Sequence, residues 1–225
     1  MTGEQYTTQS SEVTVQAGKV SLDGHLTVPE NPTGIVVFAH GSGSSRFSSR
    51  NQYVARVLNE GGLATLLFDL LTAKEHEIDV QTRELRFDID LLSERVVATI
   101  DWLADEATIN DLPIGLFGAS TGAAAALNAA AERPDRVTAV VSRGGRPDLA
   151  MAALSKVLAP TLLIVGGLDV QVIEMNRTAA DALKAPCRMD IVEGATHLFE
   201  EPGTLEKVAV LARDWFKEKL QGTGQ

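Results

Sequence analysis

Residues 113–137, "PIGLFGASTGAAAALNAAAERPDRV", form the most informative stretch of the chain. An apolar run ends at a lone serine between two glycines, and an alanine-rich segment follows. The pentapeptide "GASTG" (118–122) matches the pattern G-x-S-x-G, in which a serine sits on a sharp strand-to-helix turn with its hydroxyl exposed. Gly118 and Gly122 would leave room where two backbones approach each other. We therefore predict that Ser120 is a nucleophile.

Short apolar runs and longer amphipathic segments alternate on both sides of this stretch. The runs are Ile35–Ala39, Ala64–Phe68, Ile114–Phe117, Thr138–Val141, Thr161–Val165 and Met189–Val192. The segments between them place apolar residues at helical spacing. This alternation predicts an α/β fold, with a mostly parallel sheet covered by helices on both faces. Residues 13–29 alternate apolar and polar side chains around two glycines, which predicts antiparallel strands at the edge of the sheet.

Polar side chains follow the predicted strands, and the carboxyl ends of parallel strands are where such sheets bind ligands. Ser120 follows the third run, Asp169 the fifth and His197 the sixth. A serine hydroxyl needs a base to remove its proton and an acid to orient that base. The order Ser, Asp, His fits this need, and His197 is the only histidine after Ser120. We predict a catalytic triad of these three residues.

Each of these assignments has a structural alternative. His197 could be a loop histidine packed near the sheet, and Asp169 could cap a helix or close a turn. Asp148, which follows the fourth run, is a rival for the acid. We predict that Asp148 instead caps a helix, because it stands where a helix should begin.

Acyl transfer also needs backbone donors for the oxyanion that develops on the substrate. The N–H of Thr121, the residue after the predicted nucleophile, should be one donor. The loop "HGSGSS" (40–45), which follows the first parallel strand, should supply the other. Ser42 is the first choice there, with Gly43 as the alternative. His40 is predicted to brace this loop without taking part in catalysis.

Three arginines stand near these strand ends and are candidates for substrate contact. Arg143 directly follows the fourth run, while Arg46 and Arg50 flank the loop after the first. The alternative for each is a structural ion pair, because such pairs are common near clefts. Candidate partners are the acidic residues Asp69, Asp88 and Asp148.

A dinucleotide site is a competing interpretation of the first loop. "GSGSSR" (41–46) lies between a predicted strand and helix, and Asp69 ends the next strand. However, Arg46 stands at the third glycine position, and this interpretation leaves the three triad candidates without a role. The histidines are scattered, and Cys187 is predicted to be a core residue. No metal or cofactor is predicted.

Composition narrows the possible partners. The chain of 225 residues carries a formal net charge of −10, which argues against binding to nucleic acid or an anionic membrane surface. It has one cysteine, no apolar leader and no run long enough to span a membrane. We expect a cytoplasmic protein with one domain over residues 12–220, between flexible tails at 1–11 and 221–225. The oligomeric state is not predicted.

The segments "HGSGSS", "GASTG", "GGLD" (166–169) and "GATH" (194–197) resemble those of the α/β-hydrolase superfamily. The likeness is to its compact dienelactone-hydrolase-like branch and covers about residues 20–219. It implies an eight-stranded sheet with the second strand antiparallel, and a triad of Ser120, His197 and Asp169. Dienelactone hydrolases proper carry cysteine at the nucleophile position. Ser120 therefore favours a general carboxylic-ester hydrolase.

The predicted enzyme has an open site for small esters. Cap domains in this superfamily usually follow the fourth parallel strand, where this chain has "SRGGRPD" (142–148). The other possible cover, residues 70–84, is mostly polar and too short to build a deep apolar tunnel. A small-molecule ester is therefore the expected substrate, and thioesters, lactones and peptides share the same acyl chemistry. A module that binds a ligand without catalysis remains an alternative from another class.

Overall fold

One eight-stranded sheet organises the computed structural model, which describes residues 8–221. The strands are β1 (Gln9–Ala17), β2 (Val20–Val28), β3 (Ile35–Ala39), β4 (Ala64–Phe68), β5 (Ile114–Ala119), β6 (Val137–Arg143), β7 (Thr161–Gly166) and β8 (Cys187–Val192). Their order across the sheet is β1-β2-β4-β3-β5-β6-β7-β8. Strand β2 runs antiparallel to both β1 and β4, and β3 to β8 are parallel. The predicted fold, including the antiparallel second strand, is confirmed.

In the described part of the chain, seven helices connect and cover the strands. They are α1 (Ser49–Glu60), α2 (Ala73–Thr82), α3 (Ile89–Leu103), α4 (Thr121–Glu132), α5 (Met151–Leu154), α6 (Val170–Ala182) and α7 (Thr204–Gln221). Helices α1 and α7 pack on one face of the sheet, while α3, α4 and α6 pack on the other. Because both faces are buried, strands β3 to β7 are almost entirely apolar. In residues 8–221, no helix combines the length and apolar character needed to cross a bilayer.

The ends of several strands differ from the prediction. β3 and β4 have the predicted bounds, but β5 extends to Ala119 and β6 to Arg143. The N-terminal tail predicted for residues 1–11 overlaps β1, which begins at Gln9 opposite Val28. β1 pairs with β2 along its whole length, so the polar residues of β1 still form backbone hydrogen bonds at this edge of the sheet. Residues 1–7 and 222–225 lie outside the described part of the chain, and Gln221 ends α7.

The strand order positions the site. Strand β3 comes first among the parallel strands but lies between β4 and β5, so the chain reverses its direction of travel across the sheet there. Loops leaving neighbouring strands at such a point separate and open a crevice at the carboxyl edge. The loop after β3 and the turn after β5 both border this crevice. They carry Ser42 and Ser120.

Candidate active site

Ser120 occupies a strained turn between β5 and α4. Its φ of 51° and ψ of −122° lie in a region that residues other than glycine rarely adopt. Neighbouring backbone holds it there: its N–H donates to the Arg143 carbonyl at 3.2 Å, and its carbonyl accepts from the Arg146 N–H at 3.0 Å. Backbone strain of this kind persists only where the surrounding structure holds it, so the position of Ser120 is fixed by its neighbours.

Small residues allow this turn to pack. A Cβ at Gly122 would lie 2.2 Å from the Ala39 carbonyl oxygen, and one at Gly118 would lie 2.4 Å from the Ala123 Cα. Both distances are far below van der Waals contact. The glycines on either side of Ser120 are therefore required by close backbone approach, as the sequence predicted.

The three predicted triad residues come together across β5, β7 and β8. His197 Nε2 lies 3.4 Å from Ser120 Oγ, and His197 Nδ1 lies 2.6 Å from Asp169 Oδ2. Asp169 directly precedes α6, and its side chain is 18% exposed, whereas that of His197 is 38% exposed. Hydrogen bonds between nucleophile and base are often long in a site without substrate. The arrangement can pass a proton from the serine hydroxyl to the imidazole.

A tight turn carries His197. The Glu201 carboxylate accepts from the Thr196 N–H at 3.0 Å and from its hydroxyl at 2.6 Å. The Leu168 N–H, next to Asp169, donates to the Ala195 carbonyl at 3.0 Å. The acid and the base are thus linked through backbone as well as through their side chains. Sequence reasoning missed Glu201, because its partner is set only by the shape of the turn.

The loop after β3 lies against the serine turn. The Ser44 N–H donates to the Gly41 carbonyl at 3.1 Å, which makes Ser42 and Gly43 the central residues of a turn. Gly41 approaches Ser120 so closely that a Cβ on it would lie 3.2 Å from the serine Cβ. The two predicted oxyanion donors, the N–H groups of Ser42 and Thr121, therefore belong to segments in contact. Thr121 is the first residue of α4, where N–H groups have no partner within the helix.

His40 holds this loop through both of its ring nitrogens. Its Nδ1 lies 2.9 Å from the Gly41 carbonyl, and its Nε2 accepts from the Leu70 N–H at 3.1 Å. Burial lowers the pKa of His40 below its ordinary value of 6.5. A neutral ring that donates from Nδ1 and accepts at Nε2 satisfies both bonds. His40 thus has the bracing position predicted for it.

Two ion pairs also hold the loop, one of them predicted as an alternative. The Arg46 N–H donates to Asp69 at 2.7 Å, and its guanidinium pairs with the same carboxylate. The carboxylate that the dinucleotide interpretation needs is thereby occupied. Arg86 was not singled out by the sequence; it donates to the buried Asp79 at 2.7 Å, and a Cβ on Gly43 would lie 2.9 Å from its Nη1.

The remaining arginines differ in their partners. Arg50 donates to Glu200 at 3.3 Å. Arg143 is only 5% exposed and donates from Nη2 to the Asn51 Oδ1 at 3.1 Å. Burial, together with the charge of Arg50, lowers the pKa of Arg143 to about 10. It is the least neutralised of the three candidate substrate contacts.

Asp148 does not have the role predicted for it. The short 3₁₀ turn Pro147–Ala150 has Arg146 at its cap position, and no side chain caps it. The Asp148 carboxylate instead accepts two hydrogen bonds from the Arg146 guanidinium, at 2.9 and 2.8 Å. A neighbouring guanidinium offers two charged donors, which is a stronger partner than one helix N–H. The expectation of a helix cap at Asp148 was therefore wrong.

Space for a ligand lies beside the loop after β3. A cavity of about 270 Å³ is bordered by this loop, the end of β4 and the start of α2, with Ser45, Phe47, Asp69 and His76 among its walls. Within residues 8–221, no group of three or more His, Cys, Asp or Glu side chains is arranged to hold a metal ion. Residues 70–84, the predicted cover, form α2 and its flanks and lean on the loop that carries Ser42.

Comparison with known proteins agrees with this fold. The family model described as the dienelactone hydrolase family matches residues 22–220. The crystal structure of a dienelactone hydrolase from Anabaena variabilis is 58% identical, with a TM-score of 0.93, over 94% of this chain and 98% of that one. Est1E from Butyrivibrio proteoclasticus has a TM-score of 0.78 at 17% identity, over 93% of this chain and 98% of its own, a likeness of fold alone.

Two curated relatives from Mycobacterium tuberculosis carry a different name. Each is named as a candidate phosphoribosyl transferase and is 58% identical over 216 residues, which is 96% of this chain. Those residues are 48% of each relative, so the chain spans about half their length. The remaining half of each relative lies outside this alignment.

Proposed function

Because this chain belongs to the dienelactone hydrolase family, we propose that it is a serine hydrolase that cleaves small carboxylic esters through an acyl-enzyme on Ser120. The observation that carries the proposal is the continuous line from Ser120 Oγ through the His197 ring to Asp169. Each of the three residues follows a different strand, so this chain of side-chain contacts depends on the correct order of strands in the sheet. Proximity of this kind supports a nucleophile, a base and an orienting acid.

The proposed reaction has two halves. Ser120 Oγ attacks the ester carbonyl carbon while His197 Nε2 takes its proton, and Asp169 holds Nδ1–H of the ring. The carbonyl oxygen becomes an oxyanion between the N–H groups of Ser42 and Thr121. When this intermediate collapses, the alcohol leaves with the proton from His197. Water, deprotonated by the same ring, then attacks the acyl-enzyme and releases the acid and free Ser120.

Local electrostatics support negative charge at this point. Ser120 occupies the cap position of α4, and the amino terminus of a helix carries a partial positive charge. The first N–H groups of α4 point toward the same region. We infer that these fixed dipoles contribute to stabilising the oxyanion without rearrangement during the reaction.

Thioesters and lactones are the nearest alternatives, because they react by the same sequence of bond changes. A panel of nitrophenyl esters, acyl thioesters and lactones compared by kcat/KM would rank them.

Phosphoribosyl transfer is a second candidate, favoured only by the name of the two mycobacterial relatives. That name describes proteins about twice as long as this chain. The same purified protein can be assayed for transfer from phosphoribosyl pyrophosphate.

A fluorophosphonate probe followed by mass spectrometry tests the proposal directly. We expect one label on Ser120, no label on Ser120→Ala, and normal labelling of the exposed control Ser155→Ala. Ser120→Ala should retain less than about a hundredth of the esterase activity while remaining folded. Folded wild-type protein that takes up no label and hydrolyses no ester would instead favour a non-catalytic binding module.

A further inference from the structure

Within residues 8–221, Arg143 is a buried cation without an anionic partner. Its side chain is 5% exposed, and among residues 8–221 its Nε has no acceptor. The one hydrogen bond from its guanidinium goes to the neutral amide of Asn51. Burial and the like charge of Arg50 together lower the pKa of Arg143 to about 10.

Such a group costs folding free energy. A buried charge is tolerated when an opposite charge and further hydrogen bonds compensate it, and replacing an ill-compensated one by an apolar side chain is often neutral or stabilising. Ordinary rules of stability are broken mainly at functional sites. The position of Arg143 therefore calls for a role beyond holding the fold together.

Arg143 contacts Ser120 and two residues that neighbour other parts of the proposed machinery. Its carbonyl accepts the N–H of Ser120 at 3.2 Å. Its Nη2 bonds to Asn51 in the first turn of α1, the helix that follows the Ser42 loop. Its guanidinium carbon lies 5.9 Å from the centre of the Phe199 ring, two residues after His197.

Phe199 is the sensitive part of this arrangement. It is 1% exposed and has a φ of 54°, which is strained for a residue with a side chain. Its N–H closes the turn on the Thr196 carbonyl at 3.3 Å. Gly144, next to Arg143, packs against His197: a Cβ there would be 3.0 Å from the histidine carbonyl. Because Phe199 closes the turn that carries His197, a shift of the Phe199 ring would move His197.

We propose that Arg143 is a positioning residue for His197: its guanidinium, held by Asn51, lies over the Phe199 ring and fixes that ring, and so keeps Nε2 directed at Ser120 Oγ. This inference rests on the proposed hydrolase function. It differs from the substrate contact predicted from the sequence, in which the guanidinium would bind an anionic group of the ester. The two roles predict different kinetics.

The test is Arg143→Met, which keeps much of the side-chain volume but removes the charge and the donors. Its matched control is Arg133→Met, which removes a half-buried arginine paired with Asp101 at the opposite end of α4 from Ser120. Wild type, Ser120→Ala and both Met variants are compared on a neutral ester, 4-nitrophenyl acetate, and an anionic one, 4-nitrophenyl hydrogen succinate. Thermal unfolding is measured for all.

A positioning role predicts that Arg143→Met lowers kcat at least about tenfold on both esters, since small displacements of a base are costly. KM should change by less than about threefold, and Tm should not fall. A kcat within about twofold of wild type would overturn the proposal. A rise in KM confined to the succinate ester would overturn it in favour of substrate contact.

Nuclear magnetic resonance separates failure of this inference from failure of the proposed function. The Nδ1–H proton of His197, held by Asp169, should give a downfield resonance that is absent in His197→Gln. We expect this resonance to broaden or shift in Arg143→Met and to be unchanged in Arg133→Met. An unchanged resonance in Arg143→Met would refute positioning, even if the wild-type protein hydrolysed no ester.

Discussion

Glu201 accepts two hydrogen bonds from Thr196, one from the backbone N–H at 3.0 Å and one from the hydroxyl at 2.6 Å, and so closes the turn that carries His197. These hydrogen bonds from Thr196 hold the pKa of the Glu201 carboxyl below its ordinary value of 4.5. Because the pKa of Glu201 is lower in the folded chain, the stability that these hydrogen bonds contribute is fully present above pH 4.5. It is lost only as pH falls through the lower, folded-state value.

Glu201→Gln should lower kcat about three- to tenfold, because an amide offers one acceptor oxygen where the carboxylate offers two. KM should change little, because Glu201 acts on the turn that carries His197 and is not among the predicted substrate contacts. Steady-state kinetics at pH 7 to 8 measure both constants. The control is Glu193→Gln, an exposed residue at the other end of the same loop. Equal kcat values for the two variants would contradict a role for Glu201.

Asp169→Asn and Asp148→Asn compare the proposed acid with its rival. Asp169 contacts His197, whereas Asp148 pairs with Arg146. Asn at 169 would favour the wrong imidazole tautomer, so we expect kcat to fall by about 10²- to 10⁴-fold. Asp148→Asn should retain kcat within about threefold. The reverse ranking would move the triad acid to β6.

The buried imidazole of His40 predicts sensitivity to mild acid. Its folded-state pKa lies below the ordinary 6.5, so between those values the unfolded chain binds a proton that the folded chain does not. Stability should therefore fall as pH drops below about 6.5, by up to about 1.4 kcal/mol per pH unit. Urea unfolding at pH 5, 6 and 7 measures the slope.

His40→Gln should flatten that slope by about one proton. If this variant keeps the wild-type slope, the acid sensitivity does not come from His40.

Gly122→Ala tests the close approach at the serine turn. The new Cβ would lie 2.2 and 2.5 Å from two backbone carbonyl oxygens, those of Ala39 and His40, which cannot rotate away. We expect a loss of about 2–4 kcal/mol of unfolding free energy. Gly61→Ala is the matched control, because its Cβ meets mainly the flexible Arg213 side chain. Similar unfolding midpoints for both variants would show that the turn has unused space.

Short acyl chains should be the better substrates. Between β6 and β7 the chain forms only a four-residue 3₁₀ turn and the four-residue helix α5, which cannot enclose a long chain. Each methylene gains about 0.8 kcal/mol only where it is buried. We expect kcat/KM for nitrophenyl esters to be highest for short chains in a series from acetate to palmitate. A maximum at about ten carbons or more would contradict an open site.

The sequence predicted the sheet, and the position of the three triad candidates at its carboxyl edge, because both follow from local patterns; their catalytic role stays a prediction. Continuous apolar runs marked β3 and β4 to the residue, since a strand buried on both faces is almost entirely apolar. Ser142 and Arg143 extend β6 beyond its apolar run, because the backbone ladder continues where the side chains turn polar. The position of Ser120, Asp169 and His197 after their strands was enough to bring them together.

The supporting contacts could not be predicted in the same way. The partner of Glu201 is set by a turn, and that of Arg86 by the path of α2, neither of which has a periodic pattern. Asp148 was misjudged because the sequence indicates a helix start but not the direction of the Arg146 side chain. Pairings between loop side chains depend on tertiary geometry, which one sequence does not encode locally.

The order of the strands also determines when activity can appear during folding. Ser120 follows β5, near the middle of the chain, but its proposed base follows β8, which lies at the edge of the sheet and pairs with β7. A chain with only the central strands paired would hold a formed serine turn and no proton acceptor. We therefore expect the proposed esterase activity to return late on refolding, when the sheet is complete.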